Sequence, residues 1–400
     1  MKEAVQDSRG KGPLAGVRVL ELARLYPGPL AGMILAGWGA EVIKVEDPDH
    51  PDPMRFYPPY LGEMSAGFLA VNRHKKSLAV RFHTPAGRSL LQKLVAQADV
   101  LIESFRPGFL ARWGLDYQSL RQVNPRLIYA SVTGYGQKGP YAQRAGHDLN
   151  YIALSGILGD NRDGAGRPVI PGIQIGDVAG GAYLTVMAVL AALVERQRTG
   201  QGRWLDVAML DGLLPFTGLH LAHRAAGLEA HLRPLSGSLA CYNVYRCKDG
   251  KFVALAALET KFWQQFCQLI EHPEWIDRQF EPGQTQTTLK QNLQKIFQQK
   301  TREAWVALAA DADVCLTPVL DLDELGEDPH LGERGLFYQQ MVEGNPLLVG
   351  TRPPVFPPEE DAQAPALGEH SRSILHSLGL GEKEIQKLLQ EGTIVQAAGD

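Results

Sequence analysis

The chain has 400 residues, enough for two to three domains at roughly 100–200 residues each. Hydrophobic residues make up 44% and charged residues 21%, which excludes a disordered, coiled-coil or fibrous protein. Lys and Arg number 40 against 44 Asp and Glu, a net charge of −4, so no basic excess points to nucleic acid or an anionic membrane.

The first apolar alternation, 17–22, predicts a strand. Pro27-Gly28-Pro29 opens a helix with apolar residues Leu30, Met33, Ile34 and Leu35; Gly37 and Gly39 stop it before a strand at 41–46. Thr84-Pro85 is an N-cap followed by proline, and Leu90, Leu91, Leu94 and Val95 give the next helix its buried face. Further strands are expected at 100–103, 127–132 and 204–208. The apolar run 178–194 falls short of the ~20 residues of a membrane span and ends in Glu195-Arg196-Gln197-Arg198, so it predicts a buried helix. Apolar strands alternating with helices mean an α/β fold with a parallel, doubly wound sheet.

The pattern changes near residue 212. Segments 242–246 and 251–255 flank Asp249-Gly250 as a hairpin, and helices are expected at 262–270 and 289–308. The tail is rich in proline and ends in a helix at 382–390. The expected domains are therefore 1–212, a smaller α+β domain 213–325, and a segment 326–400 returning to the first. The N-terminal 11 residues lack an apolar signal-peptide core. The four cysteines (241, 247, 267, 315) form no C-x-x-C pair, which suits a reducing, cytoplasmic setting.

Two motifs mislead, and a third is missing. Gly134-x-Gly136-x-x-Gly139 follows a strand, yet Pro140 comes next and no phosphate-cradling helix follows. His220 and His223 lack the glutamate of a metalloprotease motif. No G-x-S-x-G elbow supplies a hydrolase nucleophile.

Three polar groups stand in apolar or glycine-rich surroundings: His147 in Gly146-His147-Asp148-Leu149-Asn150-Tyr151, Asp177 in Gly176-Asp177-Val178-Ala179-Gly180-Gly181, and Glu259 after the apolar segment 252–258. Asp177 is expected at the N-cap of the long helix, where backbone N–H groups keep a carboxylate ionised. His147 is of the residue type most used for proton transfer. Each also has a plain structural reading: Asp177 as a cap, His147 as a satisfied histidine, Asp148 as the cap of a helix 149–158, Glu259 as a solvated strand-end carboxylate.

The chain resembles the class III CoA-transferase superfamily, which also contains the α-methylacyl-CoA racemases. The resemblance is carried by Pro13-Leu14-x-Gly16-Val17-Arg18-Val19-Leu20, Gly39-Ala40-Glu41-Val42-Ile43-Lys44-Val45-Glu46 and Asn72-Arg73-His74-Lys75-Lys76-Ser77-Leu78. It continues through Ser104-Phe105-Arg106-Pro107-Gly108, Thr133-Gly134-Tyr135-Gly136-Gln137-x-Gly139-Pro140 and Leu367-Gly368-Glu369-His370. The resemblance implies a Rossmann-like large domain, a small middle domain, an interlocked homodimer and an acyl-CoA substrate, with no metal or redox cofactor. In the transferases the residue matching Asp177 attacks the thioester and carries CoA to an acceptor acid. In the racemases it is an acid/base, paired with a histidine that His147 matches and that a glutamate matching Glu259 orients.

The expected activity is 2-methylacyl-CoA epimerisation; CoA transfer through Asp177 and a non-catalytic acyl-CoA-binding protein are the alternatives. The resemblance also assigns CoA contacts to Arg55, Lys76, Val80, Phe82, Ser104, Phe105, Arg106, Arg112 and Asp148. Asp47 stands where many members carry a nucleotide-binding arginine, so Lys44, Lys75 or Lys76 is expected to replace it. The glycines of 134–181 are expected to give clearance for the CoA thioester.

Overall fold

The computed structural model describes residues 11–228, 234–342, 345–358 and 360–397. The chain divides into two units, Met1–Phe216 with Gly332–Asp400, and Thr217–Leu331.

The first unit opens with β1 (Arg18–Glu21), β2 (Glu41–Glu46), a short hairpin of β3 (Tyr60–Leu61) and β4 (Met64–Ser65), then β5 (Lys76–Val80), β6 (Val100–Glu103), β7 (Ile128–Thr133) and β8 (Trp204–Ala208). The second unit contributes β9 (Tyr242–Arg246), β10 (Phe252–Ala256) and β11 (Leu316–Pro318). The chain returns through the antiparallel pair β12 (Phe337–Val342) and β13 (Asn345–Thr351) to β14 (Ile394–Val395).

Seven strands form the main sheet in the order β14-β5-β2-β1-β6-β7-β8. Six run parallel, and β14 pairs antiparallel with β5 at the edge. Counted in chain order, the parallel strands lie 3-2-1-4-5-6, the doubly wound arrangement of Rossmann-type sheets. Their apolar runs follow from burial on both faces. Leu20, Ile43, Leu78 and Leu101 pack beneath helix Pro85–Val95 together with Ile374, Leu375 and Ile385 of the tail. Val19, Val42, Val100 and Ile128 face helices Pro27–Gly37 and Leu184–Thr199 on the other side. Burying side chains of this size contributes ~1.5–3 kcal/mol each, so the tail is a layer of this unit rather than an appendage.

Local signals act as expected at Thr84, whose hydroxyl accepts the Gly87 N–H at 3.1 Å. The helix expected at 289–308 is instead two, Gln284–Phe297 and Arg302–Ala309. The Thr301 hydroxyl accepts the Ala304 N–H at 3.2 Å and starts a new helix where the periodic pattern alone continues. In the second unit β9, β10 and β11 form an antiparallel sheet over Trp263, Phe266, Phe297 and Trp305.

Residues Gly176–Thr199 are long and apolar enough to cross a bilayer by length and composition. Their inner face carries Ala182, Val186, Val189 and Ala192 into the core. Gly180 and Gly212 let this helix cross the one beginning at Met209: a Cβ on Gly180 would lie 2.3 Å from the Met209 carbonyl oxygen. Gly180→Ala must push the two helices apart, with an expected cost of about 1–3 kcal/mol. A lowered melting temperature is the check, and an unchanged one contradicts the crossing.

Candidate active site

In doubly wound sheets ligands bind beyond the carboxyl ends of the strands, where the strand order reverses. Here that point lies between β1 and β6. A cavity of about 700 Å³ opens there, lined by Arg24–Pro27 after β1, Ser104–Pro107 after β6, Thr133–Tyr135 at the end of β7, the loop reaching His147, and Asp177. The volume is that of a small-molecule site.

Asp177 is not the N-cap. Ile175 already has helical angles, and Gly176–Tyr183 is wound as a wider π-helix before Leu184–Thr199 continues as an α-helix. The Asp177 N–H, left without an intrahelical partner in this first turn, donates to Asp148 Oδ1 at 3.0 Å. Its carboxyl is consequently not held ionised as a cap would be. Burial, reinforced by the Asp148 carboxylate, pushes its pKa up to about 7.

His147 precedes helix Asp148–Leu154 as its N-cap, its N–H held by Asn150 Oδ1 at 3.0 Å. Its exposed side chain lines the same cavity as Asp177. Asp148 therefore caps no helix of its own and is not among the residues lining the cavity; it anchors the Asp177 backbone. Tyr151 donates its hydroxyl to Gly146 O at 2.6 Å. Burial and the Asp177 charge raise the pKa of both Tyr26 and Tyr151, so two neutral phenols neighbour the aspartate.

Two glycines of this stretch that line the cavity are also required by packing. A Cβ on Gly134 would lie 2.4 Å from the Tyr151 ring, and one on Gly146 would lie 2.6 Å from the Tyr135 hydroxyl.

Beneath the Arg24–Pro27 loop lies a buried ion cluster with no accessible side-chain surface. Lys44 Nζ meets Glu21 at 3.1 Å and Asp52 at 2.9 Å, and Lys75 Nζ meets Glu21 at 2.7 Å. Asp52 Oδ1 accepts the Leu25 N–H, and Lys44 and Lys75 donate to the carbonyls of Ala23 and Pro29. The cluster thus fixes the strand-to-helix turn that forms one wall of the cavity. Burial pushes Lys75 down to about 8, despite the Glu21 charge.

Of the expected CoA contacts, Ser104, Phe105 and Arg106 line the cavity. Val80 and Phe82 do not: both are core residues, 0% and 3% exposed, and offer a ligand no surface. Arg55 is committed to Glu46 at 2.6 Å and to Pro365 O. Lys76 starts β5 at the opposite end of the sheet and pairs with Glu41. Arg112 is exposed beside the Phe109 ring, outside the cavity. Lys44 and Lys75 belong to the buried cluster, and Asp47 bonds His83 at 2.7 Å, so none of these replaces the missing arginine. Glu259, in the second unit, is the exposed N-cap position of helix Thr260–Leu269.

Sequence inspection missed Arg24, Tyr26 and Arg144, which line the cavity from loops where no periodicity marks a residue. Among the described residues no three metal-ligating side chains converge.

The family model for CoA-transferase family III matches residues 14–371. The chain belongs to CoA-transferase family III. Within that family it is similar to the α-methylacyl-CoA racemase of Mus musculus, 33% identical over 385 residues, covering 94% of this chain and 96% of the relative. It is equally similar to the succinate–glutarate CoA-transferase of Agrobacterium fabrum, 34% identical over 391 residues and covering 92% and 96%. The crystal structure of a CaiB/BaiF family protein from Brucella suis superposes with a TM-score of 0.77 at 32% identity, covering 92% of this chain and 99% of that one. Family III members of both kinds are enzymes by name, and the chain is an enzyme of one kind or the other.

Proposed function

We propose that the cavity binds an acyl-CoA thioester and that His147 and Asp177 epimerise a 2-methylacyl-CoA. The observation that carries this reading is one cavity lined by both an imidazole and a carboxyl that burial brings to a pKa of about 7. Inversion needs one group to take the α-proton from one face while another returns a proton to the opposite face. A carboxyl poised near neutrality can do either. The thioester carbonyl acidifies the α-hydrogen, so the proposal calls for no metal or redox cofactor.

The reading is tested by the pH profile. His147 and Asp177 together must hold one proton, so kcat/KM for epimerisation is expected to be bell-shaped, with the same profile in both directions. Asp177 places one limb near pH 7. CoA transfer would need only the ionised carboxylate, and a single rise through pH 7 that His147→Ala leaves intact contradicts epimerisation.

CoA transfer is the second reading, favoured by the surplus of cations. Arg24, Arg106 and Arg144 line the cavity against the single carboxylate of Asp177, which leaves a place for an acceptor acid. Asp177 would then attack the thioester carbonyl and expel the CoA thiolate, giving a mixed anhydride. The thiolate attacks the aspartyl carbonyl and frees the donor acid, leaving an aspartyl-CoA thioester, and the acceptor carboxylate takes CoA from it through a second anhydride that frees Asp177.

The proposal extends to a homodimer in the cytoplasm, with neither nucleic acid nor membrane as partner. Support for a second copy comes from apolar side chains left outside the first unit: Ile170, Ile173, Met187 and Val194 are 58–69% exposed. Support for a reducing compartment comes from Cys241, Cys247 and Cys267, buried and unpaired.

A further inference from the structure

Four tyrosines line the cavity, and Tyr26 differs from the other three. The Tyr151 hydroxyl donates to Gly146 O, the Tyr135 hydroxyl is pressed against Gly146, and Tyr57 is 52% exposed. Tyr26 is half-buried, and among the described residues its hydroxyl makes no hydrogen bond. Burial, reinforced by the Asp177 charge, keeps its phenol neutral.

The backbone sets its place. The Arg24 N–H donates to Ser104 Oγ at 2.9 Å and the Leu25 N–H to Asp52 Oδ1 at 3.0 Å, while Tyr26 O accepts the Leu30 N–H at 2.9 Å as the helix begins. Pro27, the next residue, abuts the π-helix: a Cβ on Gly181 would lie 2.6 Å from the Pro27 Cβ. Asp177 stands about one turn before Gly181 on that helix. The turn that carries the phenol is thus pressed against the helix that carries the carboxyl. No hydrogen bond joins the two among the described residues, so a reacting carboxyl and an uncommitted O–H donor line one space.

In either proposed reaction negative charge develops on the thioester oxygen. When the α-proton leaves, the C–H electron pair forms a C=C bond and the carbonyl π pair moves to oxygen; proton return on the opposite face reverses both shifts. When Asp177 attacks instead, the same π pair moves to the same oxygen until the thiolate leaves. That oxygen sits one or two bonds from the carbon at which Asp177 acts.

We infer that Tyr26 is a further catalytic residue, its phenol O–H donating a hydrogen bond to the thioester oxygen as charge develops there. The inference rests on reading the cavity as an acyl-CoA site with Asp177 as its reacting carboxyl. A neutral phenol suits the task because it stabilises the oxyanion without giving up its proton. It also adds no positive charge beside Asp177, which would pull that carboxyl back toward full ionisation.

Tyr26→Phe removes the hydroxyl and keeps the ring. The wild type and the variant are compared in α-hydrogen exchange of a 2-methylacyl-CoA in deuterated water and in CoA transfer to an added carboxylic acid. Calorimetry measures the binding of an unreactive CoA thioether, which lacks the carbonyl oxygen. For whichever reaction the wild type performs, kcat is expected to fall about 10²-fold in Tyr26→Phe, with thioether affinity unchanged. A kcat close to that of the wild type overturns the inference. So does a matching loss of thioether affinity, which would make the phenol a packing group. Difluorotyrosine at position 26 keeps the side chain's shape and gives a check that does not depend on Tyr26→Phe folding. Its more acidic phenol should bring the alkaline loss of activity to lower pH, since a phenolate cannot donate, and a profile identical to the wild type's contradicts the assignment. A wild type that performs neither reaction removes the acyl-CoA reading and the inference together; an active wild type with an indifferent Tyr26→Phe removes only the inference.

Discussion

Asp177→Asn is expected to abolish both epimerisation and CoA transfer while making the protein more stable above neutral pH. Loss of a general acid/base costs about 10²–10⁴-fold in rate. As a nucleophile in transfer, the carboxylate has no substitute in asparagine. The stability effect follows from the raised pKa. A carboxyl whose folded pKa exceeds its unfolded value stabilises fully when protonated, below pH ~4, and that contribution is lost as pH rises through about 7. Asparagine stays neutral throughout. The variant should therefore melt like the wild type at pH 4 and above it at pH 8, with the gap opening in between. A variant equally stable or less stable at pH 8 would mean that Asp177 is comfortably ionised and that its burial beside Asp148 is misjudged. Opposite signs for activity and stability are what a group strained for function should give.

Glu21→Ala is the change expected to damage the fold most. Glu21 bridges Lys44 and Lys75, and the three side chains are wholly inaccessible. Removing it leaves two buried ammonium groups with Asp52 as the remaining carboxylate of the cluster. Breaking a buried ion network in this way costs about 3–5 kcal/mol, a fall in melting temperature on the order of 10 °C. Lys75, already pushed down to about 8, can relieve the imbalance by losing its proton. A lysine whose folded pKa is depressed loses stability as pH falls, so the deficit should be larger at pH 6 than at pH 9. A loss under 1 kcal/mol, or one independent of pH, would show that the cluster contributes little. Because these residues hold the Ala23–Pro29 turn, substrate affinity should weaken along with stability.

Strands at 41–46, 100–103 and 204–208 were legible because a sheet buried on both faces demands short apolar runs, and the helices between them carry glycine and proline punctuation. His147 and Asp177 were legible as polar residues in apolar or glycine-rich surroundings, and they do line one cavity. The environment of Asp177 was not. Small residues from Gly176 to Ala182 look like a helix start, whereas the helix already includes Ile175; no sequence rule distinguishes a π-helical turn from an α-helical one. A signal for the ion cluster was present in Lys44, a lysine inside Val42-Ile43-Lys44-Val45, since a charge in a strand covered on both faces must find a partner. Val80 and Phe82 show the reverse failure. They are apolar residues at a strand end, and only the folded structure shows that the tail helices leave them no surface for a nucleotide.

The most direct measurement incubates the protein with one epimer of a 2-methylacyl-CoA in deuterated water, without an acceptor acid. If His147 and Asp177 relay protons across the α-carbon, deuterium enters at that carbon and stereochemical purity is lost. Retention of both the hydrogen and the configuration, with CoA passing to carboxylic acids once they are added, contradicts it.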